Sequence, residues 1–148
     1  MKVVAVVGTK KTGKTTLIES LIRSLKKYGQ IGTIKNMQNH TIDKGDTKRH
    51  FEAGADEVIG LGKEKIKITR KESLESAILE LEEDGMDFVI VEGFKSSSLP
   101  KIVLGDINLP NTICRLEITQ LNTALLKELI ALVISLEEYS PDDKEETI

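Results

Sequence analysis

The stretch that most limits this chain lies at its amino terminus. Gly8-Thr9-Lys10-Lys11-Thr12-Gly13-Lys14-Thr15 matches G-x-x-x-x-G-K-[ST] at every fixed position. It follows an apolar β-branched run, Val3 to Val7, and precedes Leu17, Leu21, Ile22 and Leu25 at helical spacing. A buried strand, a glycine-bearing loop and an amphipathic helix in this order make a phosphate-binding loop. Gly8 and Gly13 let the backbone wrap so that N–H groups converge on phosphate oxygens. The positive end of the following helix faces the same anion. Lys14 is the group expected to reach the β- and γ-phosphates, and the Thr15 hydroxyl is a candidate Mg²⁺ ligand. Lys10 and Lys11 add positive potential around them.

The rest of the composition excludes several alternatives. The chain has 148 residues and a net charge of −3, which argues against a nucleic-acid partner. Aromatic residues are 3% with no Trp, so stacking platforms for single strands are not expected. Cys114 is the single cysteine; no intrachain disulfide can form, and a cytoplasmic setting is expected. No apolar stretch reaches the eighteen residues of a membrane span, so no membrane partner is expected.

In chain order, the periodicity predicts a helix from Lys14 to Tyr28 closed by Gly29, then a strand from Ile31 to Lys35. The polar loop from Asn36 to Lys48 follows, and a short helix from Asp46 to Ala53. Two short strands, Val58–Leu61 and Ile66–Thr69, read as a hairpin around Gly62-Lys63. A helix from Glu72 to Glu83 leads to the apolar run Phe88–Val91, ending at Glu92. Lys101–Leu104 and Thr112–Leu116 are strand candidates separated by the turn-rich GDINLPN, expected to pair antiparallel at an edge where a dimer could form. A last helix runs from Asn122 to Glu137. The division expected is one nucleotide-binding domain, 1–138, and an acidic tail, 139–148, without fixed structure.

Certain residues away from the loop also carry chemistry. Glu92 ends an apolar strand, the position from which an acidic group in such proteins holds Mg²⁺ directly or through water; as a residue type it equally reads as a solvated strand end. Asp43, Asp46 and Thr47 lie in the long polar loop, where segments often reach the γ-phosphate or metal. Asp46 reads either as a metal contact or as the N-cap of the next helix. His40 and His50 lack metal-ligand spacing, and Cys114 reads as core. No N-K-x-D element of the kind that reads guanine is present.

Taken together, GTKKTGKTTL, DKGDTKRHFEAGA and DFVIVEGFKSSSLPKI resemble the MobB family of molybdopterin-guanine dinucleotide biosynthesis proteins, from Met1 to about Ile102. The selective elements are Asp46-Thr47-Lys48-Arg49 with Ala53-Gly54-Ala55, and Val91-Glu92-Gly93-Phe94-Lys95 with Pro100-Lys101. The resemblance implies a Mg²⁺-dependent GTP-binding homodimer of weak GTPase activity. It would assist the molybdenum cofactor guanylyltransferase that joins GMP to molybdopterin, with molybdopterin a further ligand. Carried onto this chain, the phosphates fall to Gly8, Thr9, Lys10, Lys11, Thr12, Gly13, Lys14, Thr15 and Thr16. The metal falls to Thr15, Asp46 and Glu92, and the catalytic roles to Lys14, Asp46 and Glu92. The loop before Asp46 is shortened against the family pattern, and the carboxyl-terminal third is short as well.

The expected fold is therefore an α/β P-loop NTPase-type domain, a mainly parallel sheet flanked by helices, with antiparallel edge strands. Two rival functions share its features. One is a small-molecule kinase, with Asp46 or Glu92 as base; the other is an adaptor that binds GTP or molybdopterin without turnover.

Overall fold

A computed structural model describes residues 1–37, 45–70 and 73–141 of the chain. Its contacts divide it into two units, Met1–Asn36 with Ile78–Ile148, and Met37–Ala77.

The larger unit is built on a five-stranded sheet. Its strands are β1 (Lys2–Gly8), β2 (Ile31–Lys35), β5 (Phe88–Glu92), β6 (Lys101–Leu104) and β7 (Thr112–Leu116), in the order β2-β5-β1-β6-β7. Every pairing in it is parallel. β1 is central, and Val3 to Val7 are buried on both faces, as an unbroken β-branched run requires.

Side chains alternate across the sheet. Val4, Val6, Phe88, Ile90, Ile102 and Leu104 form one core with helix α1 (Lys14–Leu25) and helix α4 (Thr123–Ser135). Leu17, Leu21 and Leu25 recur every fourth residue on α1 and are fully buried. Each such leucine contributes about 1.5–3 kcal/mol by leaving water. A single 3₁₀ turn, Lys26–Tyr28, ends α1 before Gly29. α4 starts at Asn122, whose side chain accepts from the Leu125 N–H at 2.8 Å.

The opposite face carries Val3, Ala5, Val7, Val89, Val91 and Val103. The carboxyl-terminal part of α3 (Leu74–Glu83) covers it beside β2, where a Cβ on Gly32 would lie 2.9 Å from Leu81. Residues 93–100 cross from β5 to β6 without a helix.

β6 and β7 correct an expectation. They are not an antiparallel edge pair but lie parallel within the main sheet, with β7 at its border. Parallel neighbours normally need a long crossover. Here β6 is only four residues, about 13 Å at strand rise, so residues 105–111 suffice to return the chain. Side chains hold that return: Arg115 donates to the Ile107 carbonyl at 2.6 Å and to Asn108 Oδ1 at 2.8 Å, and Thr112 to the Leu109 carbonyl at 2.8 Å.

The smaller unit contains α2 (Gly45–Glu52) and the antiparallel hairpin of β3 (Glu57–Leu61) and β4 (Lys65–Thr69), placed as the sequence predicts. Arg70 finishes α2: its guanidinium donates to the Phe51 and Ala55 carbonyls at 2.9 and 2.7 Å and stacks on the Phe51 ring. A cation there also complements the negative end of the helix. The expected tail begins with Tyr139, whose N–H donates to the Met1 carbonyl at 2.8 Å; residues 142–148 lie outside the described residues. Among the described residues, no helix is long and apolar enough to cross a membrane.

Candidate functional site

The phosphate loop occupies the carboxyl end of β1, at the point in the sheet where chain direction across it reverses. Open α/β sheets bind ligands at such points. Its turn is closed internally: Thr12 Oγ1 donates to the Thr9 carbonyl at 2.7 Å, and Lys14 Nζ to the Gly8 carbonyl at 3.0 Å. Lys11 and Gly13 both take left-handed backbone, at φ 61° and 91°.

Both motif glycines have reasons beyond phosphate approach. A Cβ on Gly8 would lie 2.5 Å from Thr12 Oγ1 and 3.0 Å from the Leu104 carbonyl oxygen. A Cβ on Gly13 would lie 2.5 Å from Ile118 Cγ1. Ile118 belongs to the 3₁₀ turn Ile118–Gln120 that follows β7.

The first helical bond runs from the Leu17 N–H to the Gly13 carbonyl at 3.0 Å. The N–H groups of Lys14, Thr15 and Thr16 therefore have no acceptor within the helix, and they carry its positive partial charge. Thr9, Lys10, Lys11, Thr15 and Thr16 are exposed around them. A concave, donor-lined loop with three lysines suits a polyphosphate.

Glu92 stands on the next strand. β5 lies directly beside β1, with Glu92 in register with Val6, and the Gly93 N–H donates to the Val6 carbonyl at 3.0 Å. The half-buried carboxylate thus ends its strand just below the start of the phosphate loop. Asp46 differs from its expected position. α2 begins at Gly45, so Asp46 is the second helical residue rather than the N-cap, and its side chain, like all of Asp43, lies outside the described residues. It belongs to the smaller unit. No group of three His, Cys, Asp or Glu side chains fit to hold a metal exists among the described residues. The oxygen donors expected to hold a metal at the loop are instead the Thr15 hydroxyl and the Glu92 carboxylate. That set suits Mg²⁺, a hard ion that keeps water and completes its shell with phosphate oxygens.

Lys101 is a residue whose role residue-type reasoning missed. Its side chain is fully buried at the head of β6, and its Nζ donates to the carbonyls of Ser97, Leu99 (3.0 Å) and Pro110 (3.1 Å). Burial pushes its pKa below the usual lysine value. The ammonium pins the 93–100 crossover, which starts at Glu92, to the 105–111 return. A lysine opening the apolar run Lys101-Ile102-Val103-Leu104 was the signal available. Cys114 is half-buried and its thiol pKa is pushed up by burial and by nearby Glu128, as suits a packing residue.

A groove of about 620 Å³ lies elsewhere, between α1 and α4, lined by Tyr28, Leu126, Ile130 and Ile134 among others. Its α1 residues start at Ser24, roughly 15 Å along the helix from Lys14.

Comparison with known proteins adds ancestry to this geometry. Residues 3–135 match the family model for molybdopterin guanine dinucleotide synthesis protein B, MobB. A molybdopterin-guanine dinucleotide biosynthesis adapter protein of Haemophilus influenzae is 35% identical over 107 residues, covering 67% of this chain and 60% of the relative. A Methanocaldococcus jannaschii relative named for the same adapter role is 37% identical over 112 residues, covering 70% and 47%. The chain thus spans about half to two thirds of the length of these curated relatives. Among solved structures, a MobB homologue from Bacillus stearothermophilus superposes with TM-score 0.72 at 22% identity, over 92% of this chain and all of that one. Bacillus subtilis MobB gives 0.69 at 23%, over 90% and 98%. At those identities the likeness is one of fold.

Proposed function

This chain belongs to the MobB family, and on that premise we propose that it is a Mg²⁺-dependent GTP-binding protein that assists molybdopterin guanine dinucleotide biosynthesis. The observation carrying the proposal is the phosphate loop at the end of β1 with Glu92 one strand away. Polyphosphate oxygens accept from the N–H groups of the loop and of the first turn of α1. Lys14 releases the Gly8 carbonyl and neutralises charge on the β- and γ-phosphates, while Lys10 and Lys11 raise the local anion concentration. A bound Mg²⁺ would rest on the Thr15 hydroxyl, with Glu92 holding it directly or through water and Asp46 a further candidate. It would supply additional positive charge at the phosphates.

Hydrolysis of GTP with water to GDP and phosphate is slow in this reading, because among the described residues no side chain is placed as a base toward the attacking water. The nucleotide then works mainly as a state that a partner reads. That partner is a molybdenum cofactor guanylyltransferase, molybdopterin being a further ligand, and the working unit is a cytoplasmic homodimer built from the single domain 1–138. The adapter names of the curated relatives favour a second reading, in which GTP is bound and docking is the whole function.

Titration calorimetry with non-hydrolysable GTP and ATP analogues plus Mg²⁺ tests the proposal, with Lys14→Ala as control. Charge-assisted hydrogen bonds are worth about 1.5–3 kcal/mol, so the variant should bind GTP roughly 10- to 100-fold more weakly. Selective ATP binding would overturn the reading in favour of a kinase. Turnover distinguishes the two MobB-like readings: phosphate release that Glu92→Gln abolishes supports the GTPase, and tight binding without release supports the adaptor.

A further inference from the structure

The phosphate loop has two flanks, and the proposed function uses only one of them. If Glu92 and the metal mark the γ-phosphate end, the sugar and base leave the loop on the side away from β5, over the ends of β6 and β7. Two segments meet the loop there. Gly105, following β6, brings its Cα side to Thr12, with a built Cβ 3.9 Å from Thr12 Cγ2. The turn after β7 comes closer, because Ile118 presses on Gly13 so tightly that no Cβ fits between them. Ile118 is half-buried, so it presents apolar surface next to the loop, of the kind on which the flat of a purine packs.

The polar groups beside Ile118 are tied to each other by hydrogen bonds. Glu117 and Gln120 form a reciprocal pair: the Gln120 side-chain oxygen accepts from the Glu117 N–H at 2.7 Å, and the Glu117 carboxylate accepts from the Gln120 N–H. The Gln120 oxygen is thereby used, and its NH₂ remains as a donor. Glu117 is exposed, and among the described residues its carboxylate has no other hydrogen bond and no ion pair, leaving acceptor capacity. A carboxylate accepts only. Guanine offers two adjacent donors, N1–H and N2–H₂, where adenine sets an acceptor at N1. No N-K-x-D sequence is needed for this, since only an acceptor-only group at this flank is required.

We propose that the turn Glu117–Gln120 is the purine-binding edge and that Glu117 is the residue that selects guanine. The proposal rests on the phosphate-loop reading above and adds the group that makes the nucleotide GTP. Glu117→Gln keeps a side-chain oxygen for the Gln120 N–H, so the turn survives, while one carboxylate oxygen becomes an NH₂. That donor clashes with the guanine donors and matches the C2 carbonyl of xanthine.

The experiment is calorimetric titration of wild type and Glu117→Gln with non-hydrolysable GTP, XTP and ATP analogues. The expected result is GTP binding weakened and XTP binding strengthened in the variant, each roughly 10- to 100-fold, the worth of one good bidentate base contact. ITP, which lacks the 2-amino group, should bind wild type several-fold more weakly than GTP; this needs no variant and holds the test if Glu117→Gln folds poorly. A Glu117→Gln protein that still prefers GTP over XTP, or a wild type indifferent between GTP and ITP, overturns the assignment while leaving the phosphate loop intact. A wild type that binds no nucleotide overturns both.

Discussion

The two units of this chain use hydrophobic residues in opposite ways. In the larger, five strands are layered between helices, and the residues of β1 from Val3 to Val7 are almost wholly out of contact with water. In the smaller, a two-stranded hairpin buries only Val58 and Ile68, which face each other, while Ile59 is 53% and Leu61 81% exposed beside Lys67 and Lys65. A hairpin of two strands is marginal in water by itself. The larger unit can therefore hold a phosphate loop in one geometry, because the strand beneath it and the helix beyond it are locked by a two-sided core. The smaller unit has no such surplus, and segments that respond to ligands or partners come from the low-stability end of a structure.

Leu21→Ala sharpens the contrast most. Leu21 is fully buried between α1 and the sheet, and truncating such a leucine costs about 2–5 kcal/mol through lost transfer energy and the cavity left. Denaturant unfolding should register the whole loss. Native-state hydrogen exchange checks the same division without mutation. The β1 and β5 amides should exchange only through global opening, and those of β3 and β4 through cheaper local opening. Equal protection in both pairs of strands would break the comparison.

The burial in the larger unit was partly legible beforehand. The G-x-x-x-x-G-K-T spacing, the apolar runs at Val3–Val7 and Phe88–Val91, and the four-residue leucine period of α1 all report burial, and burial is what pattern encodes. Strand direction is not encoded that way. Lys101-Ile102-Val103-Leu104 has the same composition whether its neighbour runs parallel or antiparallel, and the turn-rich GDINLPN suggested a hairpin. What decides is the shortness of β6 together with Arg115, Thr112 and Lys101 pinning the return. The Ile118–Gly13 contact had no local signal either, because the two lie on segments that only the sheet order brings together.

Lys101 gives the intermediate effect. Lys101→Met keeps the bulk but takes the donor from the carbonyls of Ser97, Leu99 and Pro110, of which that of Leu99 is left in the interior. An unsatisfied buried acceptor costs about 1–3 kcal/mol, offset in part because a desolvated ammonium is also removed, so a net loss of about 1–3 kcal/mol is expected. The pH dependence has a definite sign. The folded pKa lies below 10.5, so over the window between them the unfolded chain binds more protons than the folded one, and the lysine's contribution to stability rises with pH. The gap between wild type and Lys101→Met should widen as the pH climbs toward 10.5, measured by urea unfolding at matched ionic strength. A gap that narrows would mean that the ammonium is better solvated than its burial implies.

The smallest effect belongs to the hairpin. Leu61→Thr replaces the most exposed large apolar side chain of the described residues with a smaller polar one whose β-branching favours a strand. Little apolar area returns to water, because most of it is there already, and surface changes of this kind fall within about 0.5 kcal/mol. The midpoint of unfolding should therefore not move, against the large shift for Leu21→Ala, and GTP affinity of the isolated protein should be unchanged. The informative outcome is a measurable loss of stability that depends on protein concentration. It would mean that Leu61 is covered in solution by a second copy, and that the apolar face of the hairpin belongs to an interface.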